Sequence, residues 1–234
     1  MPRAADSSFA PAWEAVADAA GIGGGTSLLD LGCGDGAFCA FASRRGAIAH
    51  GLDVEPDAIA QALKAVPDAD LRLGLMENLP WADASFDVVT SFNGVQYALD
   101  PELALIEAAR VVRPSGRIAI CKWGPPAGNE FFAFLASFGA GGVRAGHLPA
   151  TDPVEDAIRA RRLEVLRTAD VPAPIELADG AALATSLARA GVGADPLAPP
   201  GATSAAEAAA RYRQPDGSYR FENQLRFWIL GRGR

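Results

Sequence analysis

The chain has 234 residues, with 28 acidic and 21 basic side chains, a net charge of −7 and a pI of about 4.9. Half of the residues are hydrophobic and 21% are charged, which predicts one ordered globular domain rather than a disordered chain. The negative balance disfavours a nucleic-acid partner, because lysine and arginine supply most of the affinity for phosphates.

Several other classes of protein are disfavoured by what the sequence lacks. No apolar run is long enough to span a bilayer, and the first residues, MPRAADSS, lack the apolar stretch of a signal peptide. We therefore expect a cytoplasmic protein without membrane contact. The cysteines form no CxxC pair and the two histidines are far apart, so neither a metal site nor a disulfide is predicted.

Short apolar segments alternate with helix-period segments through the first half of the chain. The predicted strands are residues 26–31, 48–53, 71–76, 85–92 and 117–123. Helices are predicted over 9–20, from the glycine-rich turn to Gly46, from Pro56 past Val66, and over 102–112. Their predicted inward faces are Trp13, Val16, Ala17 and Ala20; Phe38, Phe41 and Ala42; Ile59, Leu63 and Val66; Leu103, Ile106 and Val111. This alternation predicts a parallel sheet.

The chain changes character after Trp123. Turn residues and four phenylalanines occupy residues 124–142, and a charged segment with several arginines follows. We interpret residues 125–178 as a helical cap. The arginines there are interpreted as a solvated helix face rather than a site for an anionic substrate, because acidic residues neighbour them.

The C-terminal region is expected to complete the sheet. An amphipathic helix is predicted from Asp179 to about Ala190, and a Pro-Asp-Gly turn precedes alternating aromatic residues. These aromatics predict a last strand pair or a single long edge strand. The chain is therefore one domain, residues 1–234, with an N-terminal helical segment (1–25), a ligand-binding core (26–124), the helical cap (125–178) and a C-terminal helix with strands (179–234).

The stretch LLDLGCGDGAF, residues 28–38, is the most informative motif. It joins a strand to a helix through a glycine-rich turn, which in α/β folds brings backbone N–H groups close to a nucleotide-like ligand. Its glycines are spaced GxGxG, whereas dinucleotide sites use GxGxxG. Asp30, two residues before the first glycine, would repel a pyrophosphate and attract a cation. The motif therefore favours a cationic ligand over a dinucleotide.

The sequence resembles the small-molecule branch of the class I S-adenosylmethionine-dependent methyltransferases. Their first motif, DxGxGxG, is matched at Asp30, Gly32, Gly34 and Gly36. The resemblance implies S-adenosylmethionine as cofactor, whose ammonium and sulfonium groups suit Asp30. It also implies an α/β, Rossmann-like fold, with a doubly wound, mostly parallel seven-stranded sheet whose last strand is antiparallel, and a helical cap insertion.

The resemblance continues in order along the chain. Residues 51–59, GLDVEPDAI, are similar to the second motif, which implies that Asp53 binds the ribose hydroxyls and Val54 lies against the adenine. Residues 74–89 are similar to the segment at the adenine edge, and residues 104–120 to the turn into the fifth strand. The cofactor-binding residues implied are Asp30, Gly32, Cys33, Gly34, Gly36, Asp53, Val54, Met76, Glu77, Asn78 and Asn93.

Leu75 and Cys33, which both lie in the resembling segments, need separate comment. Leu75 stands where the family commonly has an acid that accepts from the adenine amino group, and a leucine cannot accept. Glu77 or a backbone carbonyl is expected to substitute, or the affinity to be lower. Cys33 lies within the loop, where we interpret its side chain as a small residue that fills space rather than a reactive thiol.

The substrate side is less defined by the sequence. After the fourth strand the chain reads SFNGVQY, not the NPPY-type loop of amino-directed enzymes, so nucleobase and glutamine substrates are disfavoured. The expected substrate contacts are Gln96, Tyr97, Trp123 and Phe131. His147 and Tyr97 are the candidates for a catalytic base. Asn93, Gln96 and Tyr97 fit loop capping equally well, and for His147 the position in a surface loop is favoured over a catalytic role.

The leading hypothesis is methyl transfer to a nucleophile of a small, fairly apolar metabolite by a monomer or homodimer. One alternative is an enzyme that binds the cofactor but catalyses a cyclisation or rearrangement without methyl donation. Another is a non-catalytic cofactor-binding module. A nicotinamide dehydrogenase is disfavoured by Asp30 and by the glycine spacing.

Overall fold

The computed structural model describes residues 9–125, 128–136, 152–189 and 205–232. Its helices are α1 (Ala10–Ala20), α2 (Ala37–Arg44), α3 (Pro56–Ala65), α4 (Pro101–Val111), α5 (Glu130–Ala136), α6 (Pro153–Ala160), α7 (Gly180–Arg189) and α8 (Ala205–Ala209). Its strands are β1 (Ser27–Leu31), β2 (Ile48–Asp53), β3 (Asp70–Leu73), β4 (Phe86–Phe92), β5 (Val112–Trp123), β6 (Glu164–Pro172), β7 (Ile175–Leu177), β8 (Tyr219–Phe221) and β9 (Gln224–Gly231). Short 3-10 turns cover Val95–Tyr97 and Ala210–Tyr212.

A seven-stranded sheet in the order β3-β2-β1-β4-β5-β9-β6 forms the centre of the fold. The pairs among β1 to β5 are parallel, and β9 is antiparallel to both of its neighbours. This arrangement confirms the predicted α/β fold with a mostly parallel sheet and an antiparallel last strand. The strand order reverses beside β1, and in such sheets a crevice for ligands opens at the carboxyl ends of the strands at this point.

Local sequence signals fix several boundaries where they were predicted. Gly21 ends α1 in the left-handed conformation, with φ of 74°. The Asp100 side chain caps α4 by accepting from the N–H groups of Glu102 and Leu103, each at 3.0 Å. Strand β2 has the predicted bounds.

The inward faces of α1 and α2 are as predicted, but those of α3 and α4 are partly wrong. Leu63 is 45% exposed and Leu103 is 40% exposed. In α4 the buried face is Ala104, Leu105, Ala108 and Val111. Apolar residues occur on every side of α4, so their spacing alone did not determine which side of the helix faces the sheet.

Two predictions for the second half of the chain are wrong. Residues 164–172, assigned to the helical cap, form the edge strand β6, whose side chains are mostly exposed. Strand β9 is not an edge strand, because it lies between β5 and β6, while β8 pairs with β7 in a separate two-stranded sheet. Within the described part of the cap, α5 and α6 are helical as predicted.

Buried apolar side chains lie on both faces of the large sheet. One cluster joins α1 and α2 to the sheet through Trp13, Phe38 and Phe41. The other joins α4 and α6 to the opposite face through Leu105, Ile158 and their neighbours. These layers hold the carboxyl ends of β1, β2 and β4 in fixed register. Among the described residues, no helix has the length and apolar character needed to cross a membrane.

Candidate active site

The glycine loop joins β1 to α2 at the reversal point of the sheet. The N–H groups of Gly32 and Cys33 both donate to the carbonyl of Leu52, at 2.8 and 3.0 Å, which ties the loop to the end of β2. Gly36 has a φ of 80°, and a Cβ there would lie 2.9 Å from the Cα and Cβ of Ala62 on α3. Glycine at position 36 is therefore required both by the turn and by the packing of α2 on α3.

Gly34 forms the open side of the loop. Its φ is 55°, and a Cβ there would meet no heavy atom within 4 Å. Its N–H donates to Asp53 Oδ2 at 2.8 Å, while Asp53 Oδ1 accepts from the N–H of Glu55 at 3.0 Å. Beside this carboxylate, Val54 is 50% exposed. The structure thus brings together the predicted loop, the predicted ribose-binding acid and the predicted adenine contact.

Asp30 lies below the loop and is 2% exposed. The Thr90 hydroxyl on β4 donates to Asp30 Oδ1 at 2.7 Å, across a register pair of the parallel strands. Burial is the main cause that raises the pKa of Asp30 to about 7, with a smaller contribution from the charge of Asp53, while the Thr90 hydrogen bond opposes the rise. Burial thus moves the protonation equilibrium of this carboxyl group from the acid range toward neutral pH.

Cys33 turns its side chain into the protein rather than toward the open side of the loop. It is 5% exposed, and a Cβ on Gly51 would lie 2.9 Å from its Sγ. Burial and the neighbouring carboxylates raise the pKa of this thiol, so it remains neutral and unreactive. The side chain fills space under the loop, as interpreted from the sequence, while the backbone N–H of Cys33 donates to the carbonyl of Leu52 and its carbonyl accepts from the N–H of Gly36.

The segment predicted to line the adenine edge is fixed by contacts of its own. Met76 is buried next to the loop, whereas Asn78 is exposed. Glu77 Oε1 accepts from the N–H of Asp100 at 3.1 Å, so this carboxylate holds the start of α4. Leu75 is 47% exposed. The structure therefore gives Glu77 a contact with the start of α4, and the adenine contact considered for this residue stays a prediction.

Arg110 on α4 anchors the same segment. All five of its guanidinium N–H groups are used: two on Glu107, two on the carbonyls of Leu79 and Trp81, and one on Asp83, at 2.7 to 2.9 Å. The guanidinium also lowers the pKa of Glu107. This network keeps the segment against α4 and at a fixed distance from the loop.

Asn93 closes the turn after β4. Its φ of 52° is left-handed, and its Oδ1 accepts from the N–H of Trp123 and from Gln96 Nε2, each at 3.1 Å. Its own N–H donates to the carbonyl of Cys121 at 2.8 Å. Gln96 in turn interacts with Tyr97, whose pKa is raised by burial. Asn93 and Gln96 therefore act as turn caps that join the ends of β4 and β5, and Tyr97 stays half exposed beside them.

Aromatic side chains cover the end of β5. Trp123 is buried and packs edge-on against Phe9 and Phe132, with ring centroids 5.6 Å apart in both pairs. Phe131 lies instead in a buried cluster with Phe221, at 5.1 Å. The structure therefore brings Trp123 next to the Asn93 turn but does not bring Phe131 to the loop. His147 lies outside the described residues.

Two hydroxyl groups that organise the site were not predicted from the sequence. Thr90 bonds Asp30, and the Ser91 hydroxyl donates to the carbonyl of Leu31 at 2.8 Å while accepting from the N–H of Val95. Both residues are fully buried. The available signal was the pair of hydroxyl residues inside the apolar strand FDVVTSF, because a buried polar side chain needs a partner.

Comparison with known proteins identifies the domain. Residues 29–120 match the family model described as a methyltransferase domain. Over 121 residues the chain is 36% identical to a demethylmenaquinone methyltransferase of Mycolicibacterium paratuberculosis, which covers 51% of each protein. The matched stretch thus spans about half the length of the curated relatives.

Solved structures share the fold over most of the chain. The geranyl diphosphate C-methyltransferase of Streptomyces coelicolor, solved with S-adenosyl-L-homocysteine, has a TM-score of 0.59 and 17% identity over 94% of this chain and 78% of that one. The cyclase SpnF has a TM-score of 0.61 and 19% identity over 95% of this chain and 80% of that one. The family match over residues 29–120 confirms the resemblance that the glycine motif indicated, and the solved structures share the Rossmann-like α/β fold, so this part of the chain is similar to methyltransferase domains.

Proposed function

We propose that this chain binds S-adenosylmethionine and transfers its methyl group to a nucleophile of a small, fairly apolar metabolite. One observation carries the cofactor part of the proposal: the open glycine loop is bonded directly to Asp53 at the reversal point of the sheet. The methyltransferase family match over residues 29–120 supports the same cofactor.

The residues present fit this cofactor. Each oxygen of Asp53 accepts one backbone N–H and keeps a lone pair for a ribose hydroxyl. The half-exposed Val54 offers an apolar surface for a purine. Space beside Gly34 is open, and the buried carboxyl of Asp30 provides negative potential beneath the loop for a cationic ligand.

Positioning is the main catalytic task of the chain. The bound cofactor supplies a methyl group on a sulfonium, which is already a good leaving group. The loop, Asp53 and the Asn93 turn would hold the ligand and the acceptor in line and exclude water, and effective molarity then accounts for much of the acceleration. A base is needed only for a protonated nucleophile. Tyr97 is the candidate for that role among the described residues, although burial raises its pKa and so disfavours the phenolate form.

The preference for an apolar acceptor is supported by the side chains around the end of β5. Phe9, Trp123 and Phe132 form an aromatic layer there, next to the turn that follows β4. Tyr97 and Leu99, which are 50% and 84% exposed, add apolar surface on the other side of the turn. Phe9 and Trp123 are buried, so Phe132, Tyr97 and Leu99 would make the direct contacts with an apolar ligand, and a few polar groups would orient it.

An unbiased screen tests the proposed function. The purified chain is incubated with methyl-labelled S-adenosylmethionine and a panel of small metabolites, and both the labelled products and S-adenosylhomocysteine are measured. We expect label in an apolar acceptor together with an equal amount of S-adenosylhomocysteine. Binding of the cofactor with no turnover on any acceptor would support a non-catalytic module instead.

The same screen separates methyl transfer from rearrangement. One structural neighbour is named a cyclase, so the fold by itself does not distinguish the two reactions. Conversion of a metabolite to a new product without formation of S-adenosylhomocysteine would contradict methyl transfer and favour a rearrangement.

A further inference from the structure

We propose that the Thr90 hydroxyl is a positioning group that sets the protonation state of Asp30, and thereby the pH range in which the loop binds S-adenosylmethionine. This inference rests on the cofactor part of the proposed function. It concerns a residue outside the glycine loop and outside the resembling segments 51–59, 74–89 and 104–120, although within the range 29–120 of the family match.

The geometry of the pair carries the inference. Asp30 and Thr90 face each other on β1 and β4, and both side chains are buried. Their oxygens are 2.7 Å apart, a well-formed hydrogen bond in which the Thr90 hydroxyl donates to Asp30 Oδ1. The Thr90 hydroxyl has one proton, and its other neighbour, the carbonyl of Leu29, is farther away at 3.4 Å. The hydroxyl therefore favours the charged form of Asp30.

Because of the surroundings of Asp30, this one hydrogen bond has a large influence on whether the carboxyl group is charged. The titratable groups that interact with Asp30 are the carboxylate of Asp53 on β2 and the thiols of Cys33 in the loop and Cys39 on α2. Both thiols stay neutral because burial raises their pKa. Within the described part of the chain, no lysine or arginine offsets the charge of Asp30, and Thr90 is the side chain that opposes desolvation.

A cationic ligand links this proton to binding. The ammonium and sulfonium of S-adenosylmethionine attract ionised Asp30 but gain little from the neutral acid. Binding is therefore tighter above the pKa of Asp30 than below it, and near that pKa binding releases a proton. S-adenosylhomocysteine has lost the sulfonium charge, so its affinity should depend less on the same titration.

Calorimetric titration with S-adenosylmethionine from pH 5.5 to 8.5 tests the inference on the whole chain. For the wild type we expect affinity to rise through a midpoint near pH 7, and two buffers of different ionisation enthalpy should show proton release at that pH. Thr90→Val, which keeps the shape but removes the donor, should move the midpoint upward by about one pH unit. Thr90→Ser, which restores the hydroxyl, should return the midpoint to the wild-type value.

Thr168→Val is the matched control. It makes the same substitution on the edge strand β6, where the Thr168 hydroxyl donates to the carbonyl of Phe227 at 2.9 Å and does not contact Asp30. Its midpoint should equal that of the wild type. The ligand's own ammonium titrates equally in every experiment, so differences between midpoints report on the protein.

Three outcomes would overturn the inference. A wild-type affinity independent of pH, with no proton released near pH 7, would overturn it even if Thr90→Val did not fold. An unchanged midpoint in folded Thr90→Val would do the same. Absence of binding by the folded wild type at every pH would instead remove the cofactor assignment on which the inference rests.

Discussion

Two carboxylates on neighbouring strand ends have different environments and therefore different tasks. Asp53 is partly exposed and accepts two backbone N–H bonds at the surface of the loop. Asp30 is buried below it and shares one hydrogen bond with Thr90. Asp53 is suited to direct contact with ligand hydroxyls, whereas Asp30 is suited to act through its charge.

Asp53→Ala should weaken the binding of S-adenosylhomocysteine by about 1–3 kcal/mol, because two ribose hydroxyls would lose their acceptor. Calorimetric titration measures this change. Asp68→Ala is the matched control, since it removes an exposed carboxylate in the turn after α3. Equal affinities for Asp53→Ala and the wild type would remove Asp53 from the site.

Asp30→Asn should change how stability depends on pH. The pKa of Asp30 is raised from 3.8 to about 7 in the folded state, so the wild type is most stable below pH 4 with respect to this group and loses about 4 kcal/mol as the pH rises to 7. Asparagine still accepts from Thr90 and has no proton to lose. Denaturant unfolding of both proteins at pH 4 to 8 should therefore show a growing advantage of the variant.

Asp87→Asn is the control for that experiment, because its effect on stability should have the opposite sign. Arg113 holds the pKa of Asp87 below its usual value, so this carboxylate contributes stability that is present above pH 4 and is lost as the pH falls. The variant should therefore be less stable than the wild type at neutral pH. A constant difference between Asp30→Asn and the wild type across the whole pH range would contradict the account of Asp30.

At the level of the elements, two glycines of the same short loop have different roles, one in packing and one in leaving space for a ligand. Gly36 serves packing, because α2 and α3 meet there, while Gly34 serves the ligand, because the space beside it is open. Only the backbone conformation, left-handed at both positions, is common to them.

Gly36→Ala should therefore mainly lower stability, and Gly34→Ala should mainly weaken ligand binding. Gly36→Ala should lose about 2–4 kcal/mol of unfolding free energy, since the methyl collides with Ala62 and the backbone is strained. Gly34→Ala should cost only about 1 kcal/mol of backbone strain but weaken binding of S-adenosylhomocysteine by roughly tenfold or more, because its methyl projects into the ligand space. Thermal unfolding and calorimetric titration measure the two effects. Equal losses of stability and of affinity in the two variants would contradict this division of roles.

Helix α4 and the segment before β4 depend on Arg110. Arg110→Met should lower the free energy of unfolding by about 2–4 kcal/mol, because Glu107 and two carbonyls would lose their donors. Arg44→Met, at an exposed position in the last turn of α2, should cost less than about 1 kcal/mol. Urea unfolding of both variants measures the difference, and a loss for Arg110→Met no larger than that for Arg44→Met would show that the network is dispensable.

At the level of the whole molecule, the first half of the fold could be predicted from the sequence and the second half only in part. Periodicity and caps located β1, β2 and β4 and the helices after them, because those strands are largely buried and those helices are amphipathic. The predictions for β3 and β5 were wrong at their ends: β3 is a half-exposed strand that ends at Leu73 rather than at residue 76, and β5 begins at Val112 rather than at residue 117. Strand β6 lies at the sheet edge with exposed side chains, so its sequence carries no strand pattern. The interior place of β9 depends on pairing between distant segments, which local patterns do not record.

The site divides in the same way. The meeting of the glycine loop with Asp53 could be predicted, because glycine spacing and strand ends are local features of the sequence, while their contacts with a ligand stay predictions. The roles of Thr90 and Glu77 could not, because each is set by a contact with another element, Asp30 in one case and the start of α4 in the other. Contacts of this kind appear only once the sheet has brought the strands together.

Titration of the folded wild-type chain with S-adenosylhomocysteine tests the central claim most directly, since the glycine loop bonded to Asp53 should hold this nucleoside. We expect saturable binding with one site per chain, and its loss or marked weakening in Gly34→Ala while the variant remains folded. No detectable binding by a folded wild-type sample would contradict the assignment of the loop as the cofactor site.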